Sequence, residues 1–157
     1  MRRMTIITLI AGAIALSASF GTANAAGWGP RLGLTMDPDQ VHFGAHMDAG
    51  YLADQFRFQP NFEMGIGDDL TVAAFNFDML YLFTTRWDAW APYLGGGPGA
   101  NIVDSDGRRD ADLEAGLNLV GGVERGLSSG GRFLTELRFG LIDTPDLKWT
   151  VGWTFMH

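Results

Sequence analysis

Three residues with metal-ligand chemistry lie close together in the sequence: His42, His46 and Asp48. Imidazole and carboxylate groups suit zinc, and spacings of four and two put all three on one face if the segment is a strand. Positions i and i+4 of a strand are roughly 13 Å apart, which is too far for one ion without ligands from a neighbouring strand. We therefore expect these side chains to form hydrogen bonds and assign them no metal.

Two other segments resemble ligand loops by composition only. The segment 104–112 carries four aspartates around Gly107, which suggests calcium, but the ligand spacing of an EF-hand is absent. We predict an exposed, solvated loop there. The glycines of 95–99 are not followed by Gly-Lys-Ser or Gly-Lys-Thr, so they indicate close packing of strands rather than phosphate binding. No catalytic, cofactor-binding or metal-binding residue is assigned.

The first 25 residues are predicted to be a cleaved signal peptide. Arg2 and Arg3 precede an apolar stretch at 6–16, and Ala23-Asn24-Ala25 supplies the small residues that a signal peptidase recognises. The apolar stretch is shorter than the roughly 20 residues of a transmembrane anchor. Residues 26–157 are then expected to form a single domain.

Composition narrows the class of protein that this domain can be. The chain has no cysteine, which excludes disulfides, thiolate metal sites and a thiol nucleophile. The formal net charge is −7, or −9 without the predicted signal, which carries two Arg and no acid. Such acidity speaks against a nucleic-acid partner. Glycine, at 22 of 157 residues, disfavours helices and favours turns and closely packed strands.

Apolar and polar residues alternate along most of the predicted domain. The clearest case is Gln55–Ile66, a predicted strand in which we expect Pro60 to cause a bulge or a bend. The other predicted strands, including weaker ones at the first two positions and at 92–103, are 30–36, 40–49, 71–83, 92–103, 113–119, 133–141 and 148–155. Polar or turn-forming segments separate them. The pattern predicts an all-β, eight-stranded, antiparallel up-and-down barrel.

Alternation alone fits both a soluble barrel, with apolar groups inside, and a membrane barrel, with apolar groups outside. The apolar faces carry Phe56, Phe58, Phe62, Phe75, Phe77, Tyr81, Phe83, Phe133, Phe139, Trp149 and Trp153. An eight-stranded interior has room for few such rings, so we predict that they face lipid. The interior would then contain Arg31, His42, His46, Asp48, Arg57, Glu63, Asp78, Glu114, Glu124, Glu136, Arg138 and Lys148. We expect these four cations and six carboxylates to pair and to leave little passage.

Aromatic belts at the membrane surfaces are a second feature expected of a membrane barrel. If the first strand runs outward from the periplasm, one rim collects Trp28, Tyr51, Trp87, Trp90, Tyr93 and Trp153. Only Trp149 is expected toward the opposite rim. The same orientation places 104–112, the longest connection, outside the cell, as is usual for membrane barrels.

These features resemble the opacity-type outer-membrane β-barrel family of small porin-like bacterial surface proteins. The resemblance spans nearly the whole predicted domain and includes Trp-Ala-Pro-Tyr-Leu-Gly-Gly-Gly at 90–97 and an aromatic final strand. It implies a structural, adhesive or surface-interacting protein of the cell outer membrane, without catalytic residues or cofactors. Its implied partners are outer-membrane lipid, lipopolysaccharide and the barrel assembly machinery, and a monomer is expected.

Two other classes of protein stay open at this stage. Some eight-stranded outer-membrane barrels modify the acyl chains of lipid A, and the deacylase group uses a His-x-Ser pair on a late strand. The last two predicted strands here contain neither histidine nor serine. A soluble periplasmic barrel holding an apolar ligand, as lipocalin-type folds do, is the third class.

Overall fold

The computed structural model describes residues 27–37, 39–67, 70–105, 112–142 and 147–156. The predicted signal peptide lies outside these residues. The described chain forms nine β-strands: β1 (Gly27–Met36), β2 (Gln40–Asp48), β3 (Tyr51–Ala53), β4 (Phe56–Ile66), β5 (Leu70–Leu82), β6 (Trp90–Ser105), β7 (Asp112–Gly126), β8 (Arg132–Ile142) and β9 (Leu147–Met156). No helix among these residues has the length and apolar character needed to cross a membrane.

Eight of the strands close into an antiparallel barrel. Around the ring the order is β1, β2, β4, β5, β6, β7, β8 and β9, and β9 pairs with β1 to complete it. Closure gives each of these eight described strands two neighbours, as a sheet in lipid requires. Among the described strands, the short β3 pairs with β4 alone. The predicted eight-stranded up-and-down barrel is confirmed.

The rim that carries residues 27 and 156 is called the terminal rim, and the opposite one the loop rim. At the terminal rim, β2 leads into β3 through Gly50, whose φ of 95° is a conformation that glycine adopts without steric penalty. The Asp48 carboxylate accepts a hydrogen bond from the Gly50 N–H (3.3 Å). Part of the segment between the predicted strands 40–49 and 55–66 therefore forms the short strand β3.

Pro60 causes no bulge in the ladder that β4 forms with β5. Its register runs without a shift from Phe56 opposite Tyr81 to Ile66 opposite Thr71. On the other side of β4, continuous pairing with β2 ends at His46 and Asn61, immediately before Pro60. Proline has no N–H to donate, so its effect is a local gap in the β2–β4 ladder. The predicted irregularity therefore lies on this side of β4: Ala49 N–H donates to the Phe58 carbonyl and Phe58 N–H donates to the Gly50 carbonyl, both at 3.0 Å, so that two residues face one, as in a bulge.

The three consecutive glycines of β6 allow its neighbours to approach closely. A Cβ on Gly95 or Gly97 would lie about 2 Å from a backbone carbonyl of β5, and one on Gly96 would meet a carbonyl of β7. Only residues without a side chain fit at these positions. The prediction that 95–99 serves strand packing is confirmed for these three residues.

Candidate functional site: the charged lumen

The side chains of each strand alternate between the lumen and the outer surface. Along β1 the burial pattern is strictly alternating, and Arg31 and Thr35 point inward. The buried charged side chains are Arg31, Asp48, Arg57, Glu63, Asp78, Glu124, Arg132, Glu136, Arg138 and Lys148. Among the described residues the lumen thus holds five cations and five carboxylates. Charges buried in this way are tolerated when they are paired and hydrogen-bonded.

A central network is built around Arg31. Its guanidinium forms ion pairs with Glu136 and, at 3.0 Å from Nε, with Glu63. Lys148 Nζ lies 2.9 Å from the second oxygen of Glu63, and the Tyr93 hydroxyl donates to Glu136 at 2.9 Å. Five strands, β1, β4, β6, β8 and β9, therefore contribute to one connected group. Each of the two carboxylates thus has two partners: Glu63 pairs with Arg31 and Lys148, and Glu136 contacts Arg31 and Tyr93.

Arg138 extends this network through a bidentate contact. Its two terminal nitrogens donate to both oxygens of Asp78, at 3.0 and 2.6 Å, which is the geometry that a planar guanidinium favours. A chain of amides continues from Asp78 through Asn61 and Asn76 to Asn118, with distances of 2.7 to 3.0 Å. The polar contacts thus cross from β8 to β7 through β5 and β4.

A second ionic group lies nearer the terminal rim. Arg57 Nη2 is 2.7 Å from Glu124, and Arg132 pairs with Asp48 and, at 3.5 Å, with Glu124. Arg57 also lies over the ring of Tyr93, 5.9 Å from its centroid. This contact brings the two ionic groups close together.

The lumen set differs from the sequence prediction at two positions. Glu114 was predicted inside but is exposed, because it lies where β7 continues past its described pairing with β8, which begins at Leu117 opposite Ile142. Arg132 was missed because it directly follows a turn segment. Its even spacing from Glu136 and Arg138 could have revealed it. The predicted four cations and six carboxylates become five of each.

The two histidines form hydrogen bonds to threonines, as expected. His42 contacts the hydroxyls of Thr35 (2.9 Å) and Thr150 (3.0 Å), and His46 contacts that of Thr154 (2.8 Å). Asp48, the third member of the sequence cluster, is paired with Arg132. No group of three or more potential metal ligands comes together in the described part of the chain. Most of the acidic segment 104–112 lies outside the described residues.

The outer surface is apolar. Large exposed side chains follow the outward positions of all eight ring strands, including Leu32, Phe43, Phe77 and Phe139. All eleven rings predicted to face outward are exposed or half-buried. Neighbouring rings pack against each other, as Phe62 and Phe75 do at a centroid distance of 4.8 Å. In water such a surface would be a large aggregation-prone patch, whereas hydrocarbon solvates it.

Aromatic residues gather at the terminal rim. Trp28, Trp90 and Trp153 lie near strand ends there, and Trp87 and Trp90 bridge each other in the connection from β5 to β6. Tyr93 is the exception to the predicted belt. It is 2% exposed and points into the lumen, in phase with Ala91. The alternation of β6, which puts Tyr93 and Ala91 on the same face, predicts this position, whereas aromatic character alone does not.

Comparisons with known structures agree with this architecture. A scan against family models finds no match, nor does a search of curated proteins. Among solved structures, the N-terminal β-barrel domain of OprF from Pseudomonas aeruginosa matches with a TM-score of 0.69 and 12% identity, covering 86% of this chain and 98% of that domain. Neisserial surface protein A matches with a TM-score of 0.55 and 14% identity, covering 83% of this chain and 92% of that chain. Ail, the attachment invasion locus protein of Yersinia pestis, matches with a TM-score of 0.53 and 11% identity, covering 87% of this chain and 100% of that chain.

These likenesses, at such low identity, concern the fold. Together with the apolar exterior and the ionic lumen, they define the class of protein. The chain is a small transmembrane β-barrel of the outer-membrane type.

Proposed function

We propose that this protein is a structural or surface-interacting barrel of the outer membrane, without catalytic activity, whose lumen passes little or nothing. The observation that carries the proposal is the inversion of polarity: apolar rings cover the outside of a closed cylinder, and paired charges fill its inside. A soluble ligand carrier would require the opposite arrangement. The terminal rim, rich in tryptophan, would face the periplasm.

The proposed occlusion is supported by the two ionic groups in the lumen. Residues three strands apart in the ring meet there, for example Lys148 of β9 with Glu63 of β4, and Arg138 of β8 with Asp78 of β5. These side chains are nearly inaccessible to solvent. An ion would have to separate such pairs in order to pass, which leaves charges uncompensated in a low-dielectric interior.

We also propose that the protein belongs among the opacity-type barrels. The motif at 90–97 and the aromatic final strand support this finer assignment. An acyl-modifying enzyme is less well supported, because β8 and β9 contain neither histidine nor serine and the two lumen histidines contact threonines. Purified protein should leave lipid A unchanged, and release of an acyl chain would contradict the non-catalytic proposal.

The test combines fractionation, gel migration and conductance. The protein should appear in the outer-membrane fraction, require detergent for extraction, and migrate differently on gels before and after heating, since a closed barrel resists unfolding. In planar bilayers it should show negligible conductance. Recovery in the periplasm without detergent would overturn the membrane assignment, and stable single-channel steps would replace the occluded lumen with a narrow pore.

A further inference from the structure

A groove runs along the outer surface where β6, β7, β8 and β9 lie side by side. Its volume is about 560 Å³, within the range of sites that hold small organic ligands, about 300–1,000 Å³. It extends from Trp87 at the terminal rim to Trp149, and its lining includes the outward residues Leu94, Val123 and Leu137. Its floor is the barrel wall at Tyr93, Gly122 and Glu136, whose positions face the lumen. The groove is therefore an indentation in the apolar surface assigned above to the bilayer.

Two features shape this groove. Gly121 forms part of its floor, and a Cβ there would meet only Leu94 at an ordinary contact distance of 3.6 Å. Trp149 forms a wall, and its indole N–H donates to the Thr135 hydroxyl at 3.0 Å. A tryptophan whose N–H is bonded within the protein does not need the membrane–water interface to satisfy it. This explains why Trp149 can lie away from the terminal rim, where the other tryptophans gather.

A single charge lies in line with the groove. Arg125 is on the same outward face of β7 as Gly121 and Val123, at the end of the strand, and its side chain is exposed. It pairs in register with Trp90 and Phe133, whose rings are 6.0 Å apart. Among outward strand positions whose side chains the structure describes, Arg125 is the one charged residue. A cation at the aromatic rim is placed to meet a phosphate.

We propose that this groove binds one acyl chain of a phospholipid of the periplasmic leaflet, with Arg125 at the phosphate of its headgroup. The inference rests on the membrane residence proposed above. The groove is continuous with the lipid-facing surface, so its apolar lining can contact the acyl chain. Arg125 lies where it can contact the phosphate. The groove of β6–β9 would thus hold the acyl chain, and Arg125 at the end of β7 would hold the headgroup of the same lipid.

The test uses native mass spectrometry of the full-length folded protein, released from detergent micelles that contain phosphatidylglycerol. Gly121→Leu should abolish retention of a single lipid, because its side chain fills the groove. Arg125→Gln should weaken retention roughly fivefold, as expected for one cation near a membrane surface, and Arg125→Lys should restore it. Ala45→Leu, a similar enlargement on the outer face of β2, is the matched control and should retain lipid as the unmodified protein does.

Several results would overturn this proposal. They are unchanged retention in both Gly121→Leu and Arg125→Gln, or equal loss in Ala45→Leu. A dimer that Gly121→Leu dissociates would assign the groove to a second copy of the chain instead. Heat-dependent gel migration of the same samples distinguishes a failure of lipid binding in the groove from a failure of the barrel to fold. A barrel that folds and inserts but retains no lipid refutes only the groove, whereas failure to insert into vesicles refutes membrane residence itself.

Discussion

Individual charged residues in the lumen are stabilised by specific partners rather than by solvent. Glu136 illustrates this, since it meets Arg31, Arg138 at 3.6 Å and the Tyr93 hydroxyl. A buried ion pair contributes little net stability against an apolar pair of the same shape, but removing one partner leaves an uncompensated charge. A substitution that removes one partner should therefore destabilise the barrel, whereas replacing both partners with apolar residues need not.

Glu136→Gln should lower the free energy of unfolding by about 3–5 kcal/mol, because Arg31 loses a buried counter-ion. Urea unfolding in lipid vesicles, followed by tryptophan fluorescence, measures this change. Glu114→Gln is the matched control: the same chemical change at an exposed carboxylate should alter stability by less than about 0.5 kcal/mol. Equal effects of the two substitutions would mean that the pairing around Glu136 is not formed.

At the scale of strands, large lumen side chains lie opposite glycines of the neighbouring strand. Tyr93 of β6 pairs with Gly122 of β7, and Leu134 of β8 pairs with Gly152 of β9. A Cβ on Gly122 would lie 2.6 Å from the Tyr93 ring and 2.7 Å from the Thr135 carbonyl oxygen. Each large side chain thus occupies the space that a neighbouring glycine leaves free, which is how the narrow interior of a small barrel is filled.

Two adjacent glycines of β7 should respond differently to the same substitution. Gly122→Ala should destabilise the barrel by about 1–3 kcal/mol through overpacking against Tyr93 and the β8 backbone. Gly121→Ala, which faces outward with room for a methyl group, should be neutral or stabilising by about 0.4–1 kcal/mol. Thermal unfolding of both variants in the same detergent provides the comparison, and a reversed order would contradict the assigned strand parity.

Strand alternation made much of this architecture predictable from the sequence. The period of two in β4, β5, β8 and β9 fixed which residues share a face, and the size of the rings indicated which face meets lipid. Partners could not be predicted, because Arg31 and Glu136 are 105 positions apart and meet only through the curvature of the ring. The end of the closed wall was also invisible in the sequence, which is why Glu114 was misplaced, whereas Arg132 could have been found from its even spacing to Glu136 and Arg138.

At the scale of the whole molecule, one continuous apolar girdle surrounds the barrel. Its outward positions tolerate Arg125 only near a rim, where a charged head reaches water. The middle of the girdle offers no such exit. Phe43, for instance, pairs with Leu32 on β1 and Met64 on β4, and both neighbours are apolar.

Phe43→Arg should therefore reduce stability in phospholipid vesicles by about 2–4 kcal/mol, the cost of a cation near the bilayer midplane. Met36→Arg, at the loop-rim end of β1, should cost only about 0–1 kcal/mol. Denaturant titrations of the folded, inserted variants provide the measurement. If both arginines proved equally harmless, the girdle would not face hydrocarbon.

The balance of five cations against five carboxylates in the lumen has an electrostatic consequence for the ends of the barrel. Because the charges of the described lumen side chains cancel, the exposed charges decide the electrostatic potential at each end. Among the described residues, the loop rim carries the exposed carboxylates of Asp37, Asp39 and Glu114, whereas the terminal rim carries Asp54 and Asp88 together with Arg86 and Arg125. The described part of the barrel is therefore more negative at its loop rim than at its terminal rim. Its loop rim attracts magnesium and calcium counter-ions and repels phosphate groups of the surrounding leaflet unless such divalent ions bridge them.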